Sequence, residues 1–116
     1  MSAAQGNGHL ESVRFLTPDG EQDVEAEAMF IFIGARPETD WLDGQVARDE
    51  RGFILSGPDV GRPKGWPLER DPFLLETSMP GVFVAGDVRS GSVKRVASSV
   101  GEGAMAVRFV HEHLVP

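Results

Sequence analysis

The run Val82-Phe83-Val84-Ala85 is short, apolar and stopped by Gly86-Asp87, and a helical pattern begins a few residues later. Val93, Val96, Ala97, Val100, Ala104, Val107, Val110 and Leu114 then recur at three- and four-residue steps, the period of an amphipathic helix. A continuous apolar run of this length reads as a strand buried on both faces, the kind that α/β proteins place beneath helices. Ser92 is the expected N-cap. The fold class read from this pairing is α/β.

The junction has the chemistry of a ligand site. In open α/β sheets, ligands lie beyond the carboxyl ends of strands, beside helix N-termini. Gly86 has no Cβ to keep a ligand from the backbone. Asp87 offers two acceptor oxygens, which suit the hydroxyls of a ribose or ribityl chain. The helix start has free N–H groups and partial positive charge, and Lys94 and Arg95 add to it. The plainer alternative is that Asp87 caps a turn and that Arg89, Lys94 and Arg95 are flexible and solvated. Gly101 and Gly103 each cost about 1 kcal/mol in a helix interior, so their pairing implies a close approach by a strand or cofactor, or ordinary packing.

Upstream, alternation from Leu10 to Leu16, the turn signal Thr17-Pro18-Asp19-Gly20 and the segment Val24–Ile33 predict a hairpin. Its second strand ends in Ala28-Met29-Phe30-Ile31-Phe32-Ile33, which predicts full burial there, and Gly34-Ala35-Arg36-Pro37 stops it. Glu38–Leu42 reads as a helical turn and Gly52–Leu55 as a short strand. Residues 56–72, with four prolines and three glycines, read as loop. Trp41 and Trp66 read as core or loop anchors. The acidic stretch Glu21–Glu27 reads as a solvated strand face, and His111 and His113 as a solvated final turn.

Composition narrows the function. A net charge of -7 disfavours nucleic acid and anionic membrane as main partners. No apolar run approaches a membrane span, and the N-terminus lacks the pattern of a secretion signal, so a cytoplasmic location is expected. With no cysteine, the chain holds no dithiol centre and no thiolate metal site. No catalytic group and no metal ligand set is assigned.

The segment Thr77–Val88, followed by Lys94-Arg95-Val96-Ala97 and Gly101-Glu102-Gly103, resembles the C-terminal end of thioredoxin-reductase-like flavoproteins of the pyridine nucleotide-disulfide oxidoreductase family. Ile31-Phe32-Ile33-Gly34-Ala35-Arg36-Pro37-Glu38-Thr39 is similar to the family's crossover from its NADPH domain back into its FAD domain. Trp66-Pro67-Leu68 resembles an insertion found in one subgroup. The resemblance implies the C-terminal part of a flavoprotein with two dinucleotide-binding domains. Residues 1–36 would end the NAD(P)-binding domain with a β-hairpin and crossover strand, and residues 37–116 would supply the closing strand and long helix of the FAD domain.

It also implies FAD as cofactor, with the ribityl chain at Gly86 and Asp87 and the flavin O2 side at Lys94, Arg95, Val96 and Ala97. NADPH would be bound by a region mostly absent here. The sequence has no Gly-x-Gly-x-x-Gly turn for a pyrophosphate, so the chain alone is expected to be inactive. The expected partners are the remainder of the flavoprotein or a second copy of the chain, and a thioredoxin-type protein. Two alternatives stay open: part of a ferredoxin–NADP reductase on the same scaffold, and a non-catalytic interaction module that oligomerises.

Overall fold

A computed structural model describes residues 1–116, which divide into two compact units, Met1–Gly34 and Ala35–Pro116. The first unit is a three-stranded antiparallel sheet in the order β1 (Ala3–Gln5), β2 (Ser12–Thr17), β3 (Gly20–Glu25). The turn and first strand fall where the sequence placed them, but the second strand is Gly20–Glu25 and overlaps the predicted Val24–Ile33 segment only at Val24 and Glu25. Pro18 and Asp19 form the turn, and the Thr17 hydroxyl donates to the Gly20 carbonyl at 2.8 Å. Across it Arg14 faces Asp23, with Nε to Oδ1 at 2.7 Å and Nη2 to Oδ2 at 2.9 Å. This pair is exposed, so it sets register more than stability. Val13 is the buried residue of the sheet. Strand β1 was not expected from its small polar side chains. An edge strand asks only for backbone pairing, and the Ser2 N–H starts it on the Arg14 carbonyl.

The second strand does not continue as predicted. Strand β3 stops at Glu25, and Phe30, Ile31, Phe32 and Ile33 lie exposed, Phe32 at 92% and Ile33 at 89%. An apolar run is buried as strand only when neighbours hydrogen-bond to its edges, and no other segment of this chain pairs with residues 28–34.

The second unit has little regular structure before its helix. Short 3₁₀ turns at Asp40–Leu42 and Gly57–Asp59 are joined by single bridges: Arg48 with Ile54, Ile54 with Arg89, and Glu76 with Phe83. The two predicted strands, Gly52–Leu55 and Val82–Ala85, are therefore reduced to one bridged residue each, Ile54 and Phe83. Val84 is buried with Val46 and Ile54, against Leu42 and Val88, whereas Val82 is exposed. With one bridged edge the segment closes a small core and does not form a sheet. Gly57 is required at its place: its φ is +53° and a Cβ would lie 2.4 Å from the Leu74 carbonyl oxygen.

Helix α1 (Val96–Leu114) starts later than Ser92 predicted, with Arg95 at the N-cap. Lys94 has φ +57°, which no helical residue can adopt, so the chain turns there before the helix begins. None of the unit's helices is long and apolar enough to cross a membrane. The periodicity located α1 but not its packed face. Val96, Val100, Val107 and Leu114 are exposed, while Ser99, Glu102, Ala106, Phe109 and His113 face the unit.

Phe109 completes a stack with Phe73 and Phe83, with centroid separations of 5.4 and 6.5 Å. Beside it Glu76, 0% exposed, accepts from both Arg70 terminal nitrogens at 2.6 and 3.0 Å and from the Phe73 and Gly81 N–H groups. Arg70 Nη2 also lies 3.0 Å from His113 Nδ1, so His113 is a packed residue and not the solvated one expected. Trp66 anchors the proline-rich loop by donating to the Arg70 carbonyl at 2.8 Å. Trp41 is 74% exposed, contrary to its reading as an anchor.

The Glu76 cluster makes the stability of the unit depend on pH. Burial raises the Glu76 pKa, but Arg70 and the two backbone donors outweigh it and hold the carboxyl below its usual 4.5. A carboxyl depressed in the folded state adds stability that is complete above the unfolded value and lost as pH falls through the folded one. Glu76→Ala is expected to cost about 3 kcal/mol at neutral pH, leaving Arg70 without its partner. That difference should shrink below pH 4.5, as read by urea denaturation across pH. The exposed Phe32, Ile33, Val96 and Val100 should also drive self-association, since burial returns about 25 cal/mol per Å² of apolar surface. Light scattering should give a mass above the monomer that falls on dilution.

Candidate functional site

The site is a turn held against a helix. Val84 is fixed in the core, and its N–H bonds to the Leu75 carbonyl at 2.9 Å. The chain then enters the turn Gly86-Asp87-Val88-Arg89, closed by the Arg89 N–H on the Gly86 carbonyl at 3.0 Å. Ile54 clamps the far side, donating to the Val88 carbonyl and accepting from the Ser90 N–H. Gly86 is buried with φ +83°, and a Cβ there would lie 3.3 Å from Ser99 Oγ on α1.

The turn leaves Asp87 exposed. Its Oδ1 accepts from Ser99 Oγ at 3.3 Å, and its Oδ2 has no protein partner. Its carbonyl accepts from Lys94 Nζ at 3.1 Å. Lys94 Nζ also sits 4.1 Å from the Phe53 ring centroid, a cation–π contact. Lys94 is exposed but not the free stem of the plainer reading: Nζ also donates to Ser92 Oγ at 3.1 Å, so three contacts hold its side chain, and its left-handed backbone costs about 1 kcal/mol or more.

Arg95, Val96 and Ala97 stand exposed at the helix start. The intrahelical ladder begins with the Ser99 N–H on the Arg95 carbonyl at 3.0 Å, and no side chain caps the end. The N–H groups of Val96, Ala97 and Ser98 therefore have no helical acceptor. A cavity of about 170 Å³ adjoins Asp87 and Lys94, walled by Pro37, Phe53 and Val88. All six residues singled out in the sequence thus come together around one turn and one helix start.

Two residues to which the sequence reading assigns no role at the site, Glu102 and Arg89, meet beneath the turn. Glu102 Oε2 accepts from the Gly86 N–H at 2.7 Å, and its Oε1 meets Arg89 Nη2 at 2.5 Å. Arg89 and the turn's N–H hold the Glu102 carboxyl below its usual range, against the effect of burial. Arg89 is only 19% exposed and its Nε is buried without a partner, so the reading of Arg89 as solvated is corrected. The available signal was an isolated acid between two glycines, on the helical face shared by Ser99, Ala106 and Phe109.

Nothing within residues 1–116 approaches these glycines closely. A Cβ on Gly101 or Gly103 meets nothing within 4 Å.

These features fit a flavin nucleotide. An exposed carboxylate with a free oxygen suits a polyol, and unsatisfied N–H groups at a helix start suit a carbonyl-bearing, electron-rich ring. The family model of pyridine nucleotide-disulphide oxidoreductases matches residues 1–103, and the chain belongs to that family.

Among relatives, an alkyl hydroperoxide reductase component of Pseudomonas putida is 38% identical over 113 residues, covering 95% of this chain and 19% of that protein. Thioredoxin reductase of Chlamydia trachomatis serovar D is 39% identical over 83 residues, 72% of this chain and 22% of that protein. The crystal structure of T. acidophilum thioredoxin reductase superposes with a TM-score of 0.63 at 32% identity, covering 94% of this chain and 32% of that one. The chain thus spans about one fifth of the length of these curated relatives.

Gly101→Ala and Gly103→Ala are each expected to stabilise this chain by about 0.8–1 kcal/mol, the difference in helix propensity with no clash to offset it. Thermal unfolding of the two single variants checks this; a lowered midpoint would mean that α1 is approached more closely there.

Proposed function

We propose that this chain closes the flavin site of an FAD-dependent NAD(P)H oxidoreductase of the thioredoxin reductase type. In this reading residues 1–36 end the NAD(P)-binding domain and residues 37–116 complete the FAD domain. The division of the chain after Gly34 supports that boundary. Bound FAD would accept reducing equivalents from the nicotinamide and pass them to an acceptor, a thioredoxin-type disulfide being the one that a relative's name suggests.

The chain's own residues bind and orient. Asp87 accepts from a ribityl hydroxyl through its free Oδ2, and Gly86 admits the ligand to the backbone. Val96 and Ala97 direct N–H groups toward the flavin O2, with Arg95 at the N-cap and Lys94 holding the intervening loop. No residue here undergoes redox chemistry, since the sequence has no cysteine. A pyrophosphate turn would be supplied from outside residues 1–116. The observation that carries the reading is the exposed, singly bonded Asp87 carboxylate, held beside uncapped helix N–H groups.

The test uses the flavoprotein reconstituted with a segment that bears a Gly-x-Gly-x-x-Gly turn. Asp87→Ala should weaken FAD binding roughly ten- to a hundredfold, the worth of one hydrogen bond to a carboxylate. Arg95→Ala should cost less than threefold, because its exposed side chain acts only as a distant charge. Flavin release followed by fluorescence recovery measures both. Retention of FAD by Asp87→Ala at parental affinity would refute the ribityl assignment.

A further inference from the structure

We infer that Glu102 is the positioning residue of the flavin site: its one carboxylate staples both ends of the turn that presents Asp87. The inference rests on the flavin reading above and deepens it. Asp87 is the second residue of the turn Gly86–Arg89. Glu102 Oε2 holds the first residue through its backbone N–H at 2.7 Å, and Oε1 holds the fourth through its guanidinium at 2.5 Å. Both oxygens are thus engaged on the two residues that flank the Asp87-Val88 pair.

The contact is costly to break. Gly86 is buried, so its N–H has no water to replace the carboxylate. Arg89 is largely buried, its Nη1 donates to the Ser90 carbonyl, and its Nε already lacks a partner. Glu102 is the counter-charge of that guanidinium. Glu102 itself is fixed in the second turn of α1, three residues after Ser99, whose hydroxyl meets Asp87 Oδ1 at 3.3 Å. One face of α1 therefore sets both the backbone and the carboxylate of the turn, and it fixes the distance from Asp87 to the helix start.

Two measurements test this, one of them without flavin. In the full 116-residue chain, the Gly86 amide proton should be strongly protected from exchange. Protection should fall at least tenfold in Glu102→Ala and be largely restored in Glu102→Gln, whose amide oxygen still accepts from that N–H while the Arg89 ion pair is lost. An unchanged Gly86 amide in Glu102→Ala would overturn the staple.

In the reconstituted flavoprotein, Glu102→Ala should weaken FAD binding roughly tenfold, and Glu102→Gln by less than threefold. In an Asp87→Ala background, Glu102→Ala should add almost nothing, because the residue it positions is gone. Full additivity would overturn the inference by showing that Glu102 supports the fold and not Asp87. If Glu102→Ala does not fold, Glu102→Gln decides: a loss as large as that of Asp87→Ala overturns the inference. Undiminished binding in Asp87→Ala would instead bring down the flavin reading itself, and the exchange result would stand apart from it.

Discussion

A helix whose largest aliphatic residues point outward has to be held by something other than aliphatic area. In the Ala35–Pro116 unit that task falls to the Glu102 carboxylate near one end of α1 and to Phe109 and His113, packed beside the Glu76 cluster, near the other. Glu102 grips the Gly86–Arg89 turn from the second turn of α1, and Glu76 gathers Arg70, Phe73 and Gly81 beside the Phe73, Phe83 and Phe109 stack near its end. Both acids sit where water is scarce, and both are satisfied by a guanidinium and by backbone N–H groups. Such pairs are unforgiving of the loss of one partner, which makes them good at specifying a single arrangement of irregular segments. The rest of the unit, with bridges in place of strands, follows from those fixed points.

The same polar attachment explains which parts could be read from sequence. The hairpin was legible because its turn chemistry is local: Thr17-Pro18-Asp19-Gly20 needs nothing beyond itself. The α1 periodicity was legible for the same reason, although its start was displaced by Lys94, whose positive φ no propensity announces. What failed were the inferences that required a paired strand or a packed helix face. Phe30–Ile33 reads as buried strand because natural sequences of that kind have partners on both edges, and within residues 1–116 it has none. The apolar stripe of α1 predicts an inward face, yet the inward face belongs to Ser99, Glu102, Ala106 and Phe109.

The candidate site was legible residue by residue but not in its mechanics. Gly86, Asp87 and Lys94–Ala97 are adjacent in sequence and meet around one turn, so a motif reading finds them. The Glu102 contact joins residues sixteen apart through one side chain, and spacing alone gives no sign of it. Arg89 was misjudged because a long cationic side chain next to a loop is usually solvated, and only the structure shows it folded under the turn. Family membership, drawn from residues 1–103, places this turn and helix in a group whose reported relatives are roughly three to five times as long as the chain.

The loop that carries Trp66 has an optical consequence. The chain contains no tyrosine and two tryptophans, so its near-ultraviolet emission comes from Trp41 and Trp66 alone. Trp41 is largely in water and emits as a nearly constant, red-shifted background. Trp66 is half-buried, and its indole N–H is bound to the carbonyl of Arg70, the residue that grips Glu76. Its colour and intensity should therefore change when that grip opens, which makes Trp66 an intrinsic reporter of the Arg70–Glu76 contact.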